Sequence, residues 1–288
     1  MLSISQTQSG FYCIEWSPTE NGPKIIRCKF LKSNQKIYNK GTLEKIINSF
    51  KPSLEMESNS LSITLNSNNF LFSEIKTDKN ISNKDFIKWY ENDFLNKDFL
   101  KYHDIYYYPL FEKNNFLSIS ISKKIKKNLK SISLNLGYNL VNFSIDIFSA
   151  SNLIQKIYKV NDFLVWKIGK NNYHYLSYFK DNKICSFIKF KKSKNNLKEL
   201  IKIGNDKNII NDFLFSVLIK NQNFEKIGNV YVYQTNNSTR KINEICSKKS
   251  SSINLIDISS LFDSEINISL FETMKYVENG ISFRGLDV

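Results

Sequence analysis

The chain has 288 residues and a formal net charge of +14, from 41 Lys and Arg against 27 Asp and Glu. Its hydrophobic content of 41% and aromatic content of 14% suffice for a packed core, which excludes wholesale disorder. Its uninterrupted apolar runs fall well short of the ~20 residues that span a bilayer, so we expect a soluble intracellular protein. At about 150 residues per domain, the length fits two domains.

The first part of the chain predicts short strands and helices. In chain order they are strands at 9–16 and 24–31 around a turn-rich link at 17–23, a helix at 42–50, a strand at 61–65, a helix that begins at Ser82, and an aromatic strand at 104–111. Pro109 marks the last of these as an edge strand or a break.

The middle of the chain has the clearest periodicity. Leu117, Ile119 and Ile121 alternate with serines, which predicts a half-buried strand. The following runs predict a helix at 123–136 that ends at Gly137, a strand at 141–145, a helix at 147–157 and an antiparallel meander at 162–169, 172–179 and 183–191.

The last part predicts helices at 209–218 and 238–247, a strand at 230–233 and a closing helix at 271–281. A meander followed by helices therefore begins near residue 9 and again near residue 161. This pattern favours an α/β fold with a coarse internal duplication.

The sequence holds no signature of a known catalytic or metal site. Its four cysteines form no CxxC pair and its two histidines stand far apart, which argues against a zinc site and a disulfide-rich secreted fold. It has no GxSxG, HExxH, P-loop or GxGxxG pattern. We therefore assign no catalytic residue and no metal ligand.

The basic charge is compatible with nucleic acid, anionic lipid or an acidic partner. It is equally what an AT-rich genome imprints on a protein rich in Lys, Asn, Ile and Phe. The densest lysines lie on the predicted 123–136 helix, on the side away from its apolar residues: Lys123, Lys124, Lys126, Lys127 and Lys130. A solvated helix face and a contact with an anionic surface both remain open.

Four stretches, taken in order, carry a resemblance to a known family. They are the helix containing Ile87–Glu91 before the aromatic strand ending in Pro109, the strand-helix-strand unit at 116–148 ending in Ile-Asp-Ile-Phe, the run Phe163–Gly169, and the C-terminal Gly280–Leu286. Together they resemble the actin-like ATPase fold. Within it, they are similar to the type IV pilus assembly PilM family and to the cytoplasmic domain of the type II secretion L protein.

The resemblance implies a two-lobed, ribonuclease H-like duplicated α/β fold with a small inserted subdomain in the first lobe. The first lobe would span 1–158, with the insertion at roughly 52–112. The second would span 159–288, and its C-terminal helix would pack back toward the first lobe.

The resemblance also implies a nucleotide cleft between the lobes, and this sequence alters all of its loops. The first phosphate loop would fall at Glu15 and Ser17, the second at Lys167, Gly169 and Lys170, and the adenosine loop at Gln234, Thr235 and Asn236. A lysine replaces the acid that would face Mg²⁺, and the adenosine loop lacks glycine. We therefore expect no cofactor, with ATP as the alternative.

The function implied is a non-catalytic scaffold on the cytoplasmic side of the inner membrane. Its partner would be the N-terminal cytoplasmic tail of a bitopic membrane protein, and membrane association would be peripheral, through that partner. The candidate docking residues are aromatic: Phe86, Trp89, Tyr90, Tyr106, Tyr107 and Tyr108. The alternatives are a divergent actin-fold ATPase or small-molecule kinase, and a basic nucleic-acid-binding protein, although we expect no specific nucleic acid. The resemblance leaves a homodimer open.

Overall fold

The computed structural model describes residues 1–20, 22–53, 59–77, 82–181, 183–193, 196–204, 210, 212–214, 216, 228–235 and 253–280. The helix predicted at 238–247 lies outside these ranges, and the one predicted at 209–218 is described only in part. In the described residues the strands form three sheets of five, six and three strands.

The strands are β1 (Leu2–Gln6), β2 (Gly10–Thr19), β3 (Gly22–Lys32), β4 (Ser60–Leu65), β5 (Leu71–Lys76), β6 (His103–Pro109), β7 (Asn115–Ser122), β8 (Asn139–Ile145), β9 (Asp162–Ile168), β10 (Tyr173–Lys180), β11 (Lys183–Lys192), β12 (Leu197–Ile203), β13 (Val230–Gln234) and β14 (Ile253–Leu255). The α-helices are α1 (Thr42–Phe50), α2 (Asn83–Trp89), α3 (Lys97–Tyr102), α4 (Lys123–Asn135), α5 (Asp146–Tyr158) and α6 (Leu270–Thr273). A π-helix (Tyr90–Phe94) follows α2, and a 3₁₀ segment (Met274–Asn279) follows α6.

The two larger sheets repeat one topology. The first has the order β3-β2-β1-β4-β8, and the second has β12-β11-β10-β9-β13-β14. In each, a first strand pairs antiparallel with the next strand of the meander and parallel with a later strand. The second sheet therefore reproduces the first with β12 added at one edge, as the predicted duplication requires.

The first repeat begins earlier than predicted. β1 was missed because it is only five residues long, and it places the first meander turn between Gln6 and Gly10. The predicted link at 17–23 belongs instead to a continuous hairpin, in which Thr19 pairs with Gly22. Pro18 and Pro23 stand opposite each other near its tip, where missing backbone donors disturb the ladder least.

The three-stranded sheet has the order β5-β7-β6, and α2 and α3 lie in the connection from β5 to β6. Its own small core consists of Ile75, Phe86 and Phe116. The predicted insertion at roughly 52–112 stays a prediction. β4 lies inside those bounds but pairs parallel with β1 in the first large sheet, whereas β7 lies beyond 112 and pairs with β5 and β6.

The segment before residue 281 joins the two large sheets. The Asn279 side-chain amide donates to the backbone oxygens of Ser3 (3.0 Å) and Tyr12 (2.8 Å), and the Ser3 hydroxyl donates to the backbone oxygen of Asn279. The Tyr12 hydroxyl in turn donates to the Thr235 backbone oxygen at 2.9 Å. The final helical segment thus lies against β1 and β2 as well as the second sheet.

The three-stranded sheet makes a separate connection to the second large sheet. The Gly204 backbone N–H donates to the Glu74 carboxylate at 3.0 Å, and the Phe72 ring lies 5.1 Å from the Phe187 ring. Leu110 forms a parallel bridge with Ile184. The three-stranded sheet is therefore tied directly to the second large sheet. Of the described helices, none is both long and apolar enough to cross a bilayer.

Candidate functional site

A buried ionic cluster lies where the two large sheets meet. The Lys167 ammonium is 2.6 Å from the Asp146 carboxylate and 2.5 Å from the Glu278 carboxylate. Lys167 is 2% exposed, and both acids are fully buried. Because removing ions from water costs several kcal/mol each, such a cluster persists only when its charges face one another closely.

Three separate elements bring these charges together. Lys167 is the next-to-last residue of β9, whose other residues after Asp162 are apolar and buried, and β9 lies between β10 and β13. Asp146 directly follows β8 as the first residue of α5, where a helix N-terminus favours negative charge. Its other carboxylate oxygen accepts a 2.8 Å hydrogen bond from the Ile147 N–H. Glu278 comes from the 3₁₀ segment, so the cluster joins both sheets and the final helical segment.

Two tyrosines complete the cluster. The Tyr233 hydroxyl donates to Glu278 at 2.9 Å, and the Lys167 ammonium lies 5.4 Å from the centre of the Tyr175 ring. Both phenols therefore stay neutral, because burial raises the pKa of Tyr175 to about 12 and that of Tyr233 well above its ordinary value.

Burial and the neighbouring charges together shift the pKa of Lys167 and the pKa of Glu278. Burial by itself lowers the pKa of Lys167, but the attraction of Asp146 and then Glu278 outweighs it, so the pKa is raised overall. Burial raises the pKa of Glu278, and the nearby Lys167 opposes that rise without cancelling it. Lys167 therefore remains protonated and paired with both carboxylates.

Several residues predicted for the nucleotide cleft do lie beside this cluster. Gln234 pairs with Ile168, and Thr235 follows it, so both flank the end of β9. Gly169 begins the turn to β10, and its N–H donates to the Tyr173 oxygen at 2.8 Å. Lys170 is exposed in the same turn. Asn236 lies outside the described residues.

Glu15 and Ser17, which were predicted for the first phosphate loop, do not lie beside this cluster. Both are inside β2, and Glu15 pairs with Leu2 at the start of β1, whereas the cluster gathers at the opposite, carboxyl ends of the parallel strands. The buried Glu15 carboxylate is already occupied, because each oxygen is 3.0 Å from the Ser53 N–H. The corresponding turn of the first repeat is the one between β1 and β2.

The cluster does not suit a magnesium nucleotide. The Lys167 ammonium lies near the end of β9 and repels a second cation. The acids beside it are already paired with that lysine rather than available for metal-bound water. Among the described residues, no group of three His, Cys, Asp or Glu side chains is arranged to hold a metal ion.

The predicted docking aromatics divide into buried and exposed positions. Phe86 is 1% exposed and stacks on Phe116 with ring centres 5.9 Å apart, so it belongs to the core of the three-stranded sheet. Trp89 is 41% exposed on the same helix. The others are half-buried: Tyr90, Tyr106, Tyr107 and Tyr108.

Sequence reasoning found part of this cluster. It singled out Lys167, and Asp146 belongs to the Ile-Asp-Ile-Phe stretch that carries part of the resemblance. It missed Glu278, Tyr233 and Tyr175. Glu278 lies more than one hundred positions from Lys167 in the sequence, so no local spacing signals their contact; an acid on the buried side of the predicted closing helix was the only available hint.

No family model matches the sequence, and no curated protein matches it significantly. Among solved structures, a chain of the PilM–PilN type IV pilus biogenesis complex is similar to this one with a TM-score of 0.63 and 11% identity. The match covers 96% of each chain. At this identity, the match speaks to the fold alone.

Two further solved structures are more distant. The cytoplasmic domain of EpsL, an inner-membrane component of the type II secretion system of Vibrio cholerae, has a TM-score of 0.46 and 8% identity, covering 98% of this chain and 96% of its own. A Bacteroides thetaiotaomicron protein with an actin-like ATPase fold has a TM-score of 0.43 and 13% identity, covering 88% and 90%. The fold assignment rests on the PilM–PilN match and on the repeated sheet topology. The chain has a divergent actin-like ATPase fold.

Proposed function

We propose that this chain is a non-catalytic, actin-fold scaffold of a type IV pilus or type II secretion assembly platform. It acts on the cytoplasmic side of the inner membrane and holds the cytoplasmic tail of a bitopic membrane protein. The observation that carries the proposal is the buried Lys167, paired with Asp146 and Glu278 where an actin-fold ATPase needs metal-facing acids.

The cluster supports a structural role for the cleft. A phosphate ligand for Lys167 would have to displace two carboxylates that are already within 2.6 Å of its ammonium. Those carboxylates would then be left buried without a counter-charge, which is costly. The enzyme alternative, in which Lys167 holds a phosphate, therefore lacks support at the residue on which it depends.

The connections between the sheets support a fixed platform. Actin-fold enzymes close their lobes around substrate, and such closure requires contacts that open and re-form. Here Asn279 joins the final helical segment to Ser3 and Tyr12, and Glu74 joins the three-stranded sheet to Gly204. These contacts suit a protein that presents one surface in one geometry.

The tail would dock beside the three-stranded sheet, with Trp89 as its main contact. Trp89 is the exposed aromatic of α2, and a tryptophan at a docking surface often carries much of the binding free energy. Phe86 lies beneath it, with ring centres 5.8 Å apart, and supports it from the core.

A pull-down tests this proposal. The full chain is mixed with each bitopic membrane protein encoded by a neighbouring gene, and the captured protein's tail is then titrated as a peptide. We expect Trp89→Ala to weaken tail binding at least about tenfold. Leu200→Ala, which removes a similarly exposed apolar side chain from β12, serves as the control and should bind normally. If none of these proteins is captured, or if both variants bind equally well, the proposed docking fails.

A further inference from the structure

An exposed row of side chains follows the outermost line of α4, opposite the face that packs on the fold. The row, called here the α4 row, consists of Lys123, Lys127, Lys130 and Leu134. At about 100° per residue these four positions lie within roughly 60° of one another, and at 1.5 Å per residue the row is about 16 Å long. All four are exposed, whereas Leu129 and Ser133, which lie outside the row, are buried.

Among the described residues, no carboxylate forms an ion pair with the lysines of this row. Of the α4 lysines, Lys126 has a carboxylate partner, Asp104 at 3.5 Å. Lys123 donates to the Leu100 backbone oxygen. In the described part of the chain, the other α4 lysines have no carboxylate within 4.0 Å: Lys124, Lys127 and Lys130.

The placement of these lysines works against helix stability. The first turn of α4 contains no acidic residue, and Lys123 and Lys124 occupy it instead. Cations at a helix N-terminus oppose the helix dipole, which favours negative charge there. Residues that lower the stability of a helix in this way are often found at functional sites.

Exposed apolar side chains lie at both ends of the row. Leu134 is 57% exposed at the C-terminal end. Tyr102 is 58% exposed at the other end, where the next residue, His103, pairs with Ser122 directly before α4. Lysines flanked by exposed apolar groups suit a lipid interface, because ammonium groups reach the phosphates while the apolar groups enter the acyl boundary.

The shape of the surface favours a bilayer over the other anionic partners. The row is the crest of a helix, so it is convex. Peptides dock in grooves or along strand edges, and single-stranded nucleic acid follows basic grooves lined with stacking aromatics. We propose that the α4 row, together with Lys124 and Tyr102, binds the anionic surface of a lipid bilayer directly. This contact is separate from tail docking at Trp89 and does not depend on it.

Vesicle co-sedimentation of the full chain tests the proposal. One set of vesicles contains equal parts of phosphatidylcholine and phosphatidylglycerol, and the other contains phosphatidylcholine alone. We expect binding to the first set at about 50 mM NaCl, little binding to the second, and loss of binding at about 500 mM NaCl because salt screens the attraction.

Two matched variants separate the α4 row from the overall charge of +14. The test variant reverses Lys123, Lys124, Lys127 and Lys130 to Glu, and the control reverses four exposed lysines elsewhere: Lys36, Lys40, Lys183 and Lys198. Both lower the net charge equally. We expect the test variant to bind about a hundredfold more weakly than the wild type, and the control to lose far less.

Four results would overturn the proposal. They are equal weakening in the two variants, no binding of the wild type to anionic vesicles at low salt, equal binding to the two vesicle sets, and binding of the wild type to a polyglutamate peptide but not to vesicles. If the test variant does not fold, the uncharged double variant Tyr102→Ala/Leu134→Ala decides instead. It should bind anionic vesicles several-fold more weakly than the wild type, and unchanged binding would count against a lipid contact.

Discussion

Replacing Lys167 with methionine is expected to lower the free energy of unfolding by about 3–5 kcal/mol. Methionine fills a similar volume but carries no charge, so Asp146 and Glu278 would be left facing each other in the interior. Their burial is then uncompensated, and their mutual repulsion adds to the cost. The loss should appear as a lower urea midpoint with an unchanged denaturant slope.

An exposed lysine provides the control for this substitution. Lys202 on β12 lies 3.2 Å from the Glu199 carboxylate, and both side chains are partly exposed. Lys202→Met should change the free energy of unfolding by less than about 1 kcal/mol, because exposed ion pairs contribute little. The triple variant Lys167→Met/Asp146→Asn/Glu278→Gln should recover part of the stability that Lys167→Met loses, since it removes the unpaired charges. A Lys167→Met protein as stable as the wild type would contradict the described cluster.

Replacing Phe86 with alanine is expected to cost about 3–5 kcal/mol, because it empties the centre of the small core formed with Ile75 and Phe116. The loss should be concentrated in the three-stranded sheet. Hydrogen exchange of the β5, β6 and β7 amides should therefore accelerate more than exchange in either large sheet.

The comparison variant for this prediction is Leu71→Ala. Leu71 lies on β5 of the same sheet but is 57% exposed, so its truncation should change stability by less than about 1 kcal/mol. Similar small effects of Phe86→Ala and Leu71→Ala would show that Phe86 does not support the core. Phe86 would then again be a candidate docking residue, a role that its burial in the structure argues against.

The sequence predicted the elements whose signals are local. The alternation of Leu117, Ile119 and Ile121 corresponds to β7. The helix predicted at 123–136 corresponds to α4, which ends just before Gly137, a glycine with a positive φ of 78°. The meander at 162–191 corresponds closely to β9, β10 and β11. The actin-like fold was implied by the resemblance of four stretches to a known family, and the PilM–PilN match confirms it.

The sequence did not predict features set by distant contacts. β1 has only five residues, and its place at the centre of the first sheet comes from pairing with β4, some sixty positions away. Because β1 was not predicted, the link after β2 was interpreted as the first turn of the meander, and the first phosphate loop was assigned there. The first turn of the meander in the structure lies between β1 and β2. Glu15 and Ser17 therefore lie away from the cluster, whereas Lys167 is part of it, because β9 was identified directly.

Sequence analysis identified Lys167 at the candidate site but did not identify the residues that contact it. Lys167 was expected at the position where the resemblance places the metal-facing acid. Its actual partner Glu278 comes from a 3₁₀ segment, and the periodicity of 271–281 predicted an ordinary helix there. Burial of charge depends on three-dimensional packing, so its extent was visible only in the folded chain.

The most direct test of the central claim, that a buried lysine cluster has replaced the magnesium-nucleotide site, is isothermal titration of the full chain with Mg-ATP. We predict no binding heat up to about 5 mM nucleotide and, by mass action, no rise in melting temperature at that concentration. Magnesium-dependent ATP binding with a Kd below about 1 mM, lost in Lys167→Met, would contradict the claim and restore the enzyme alternative.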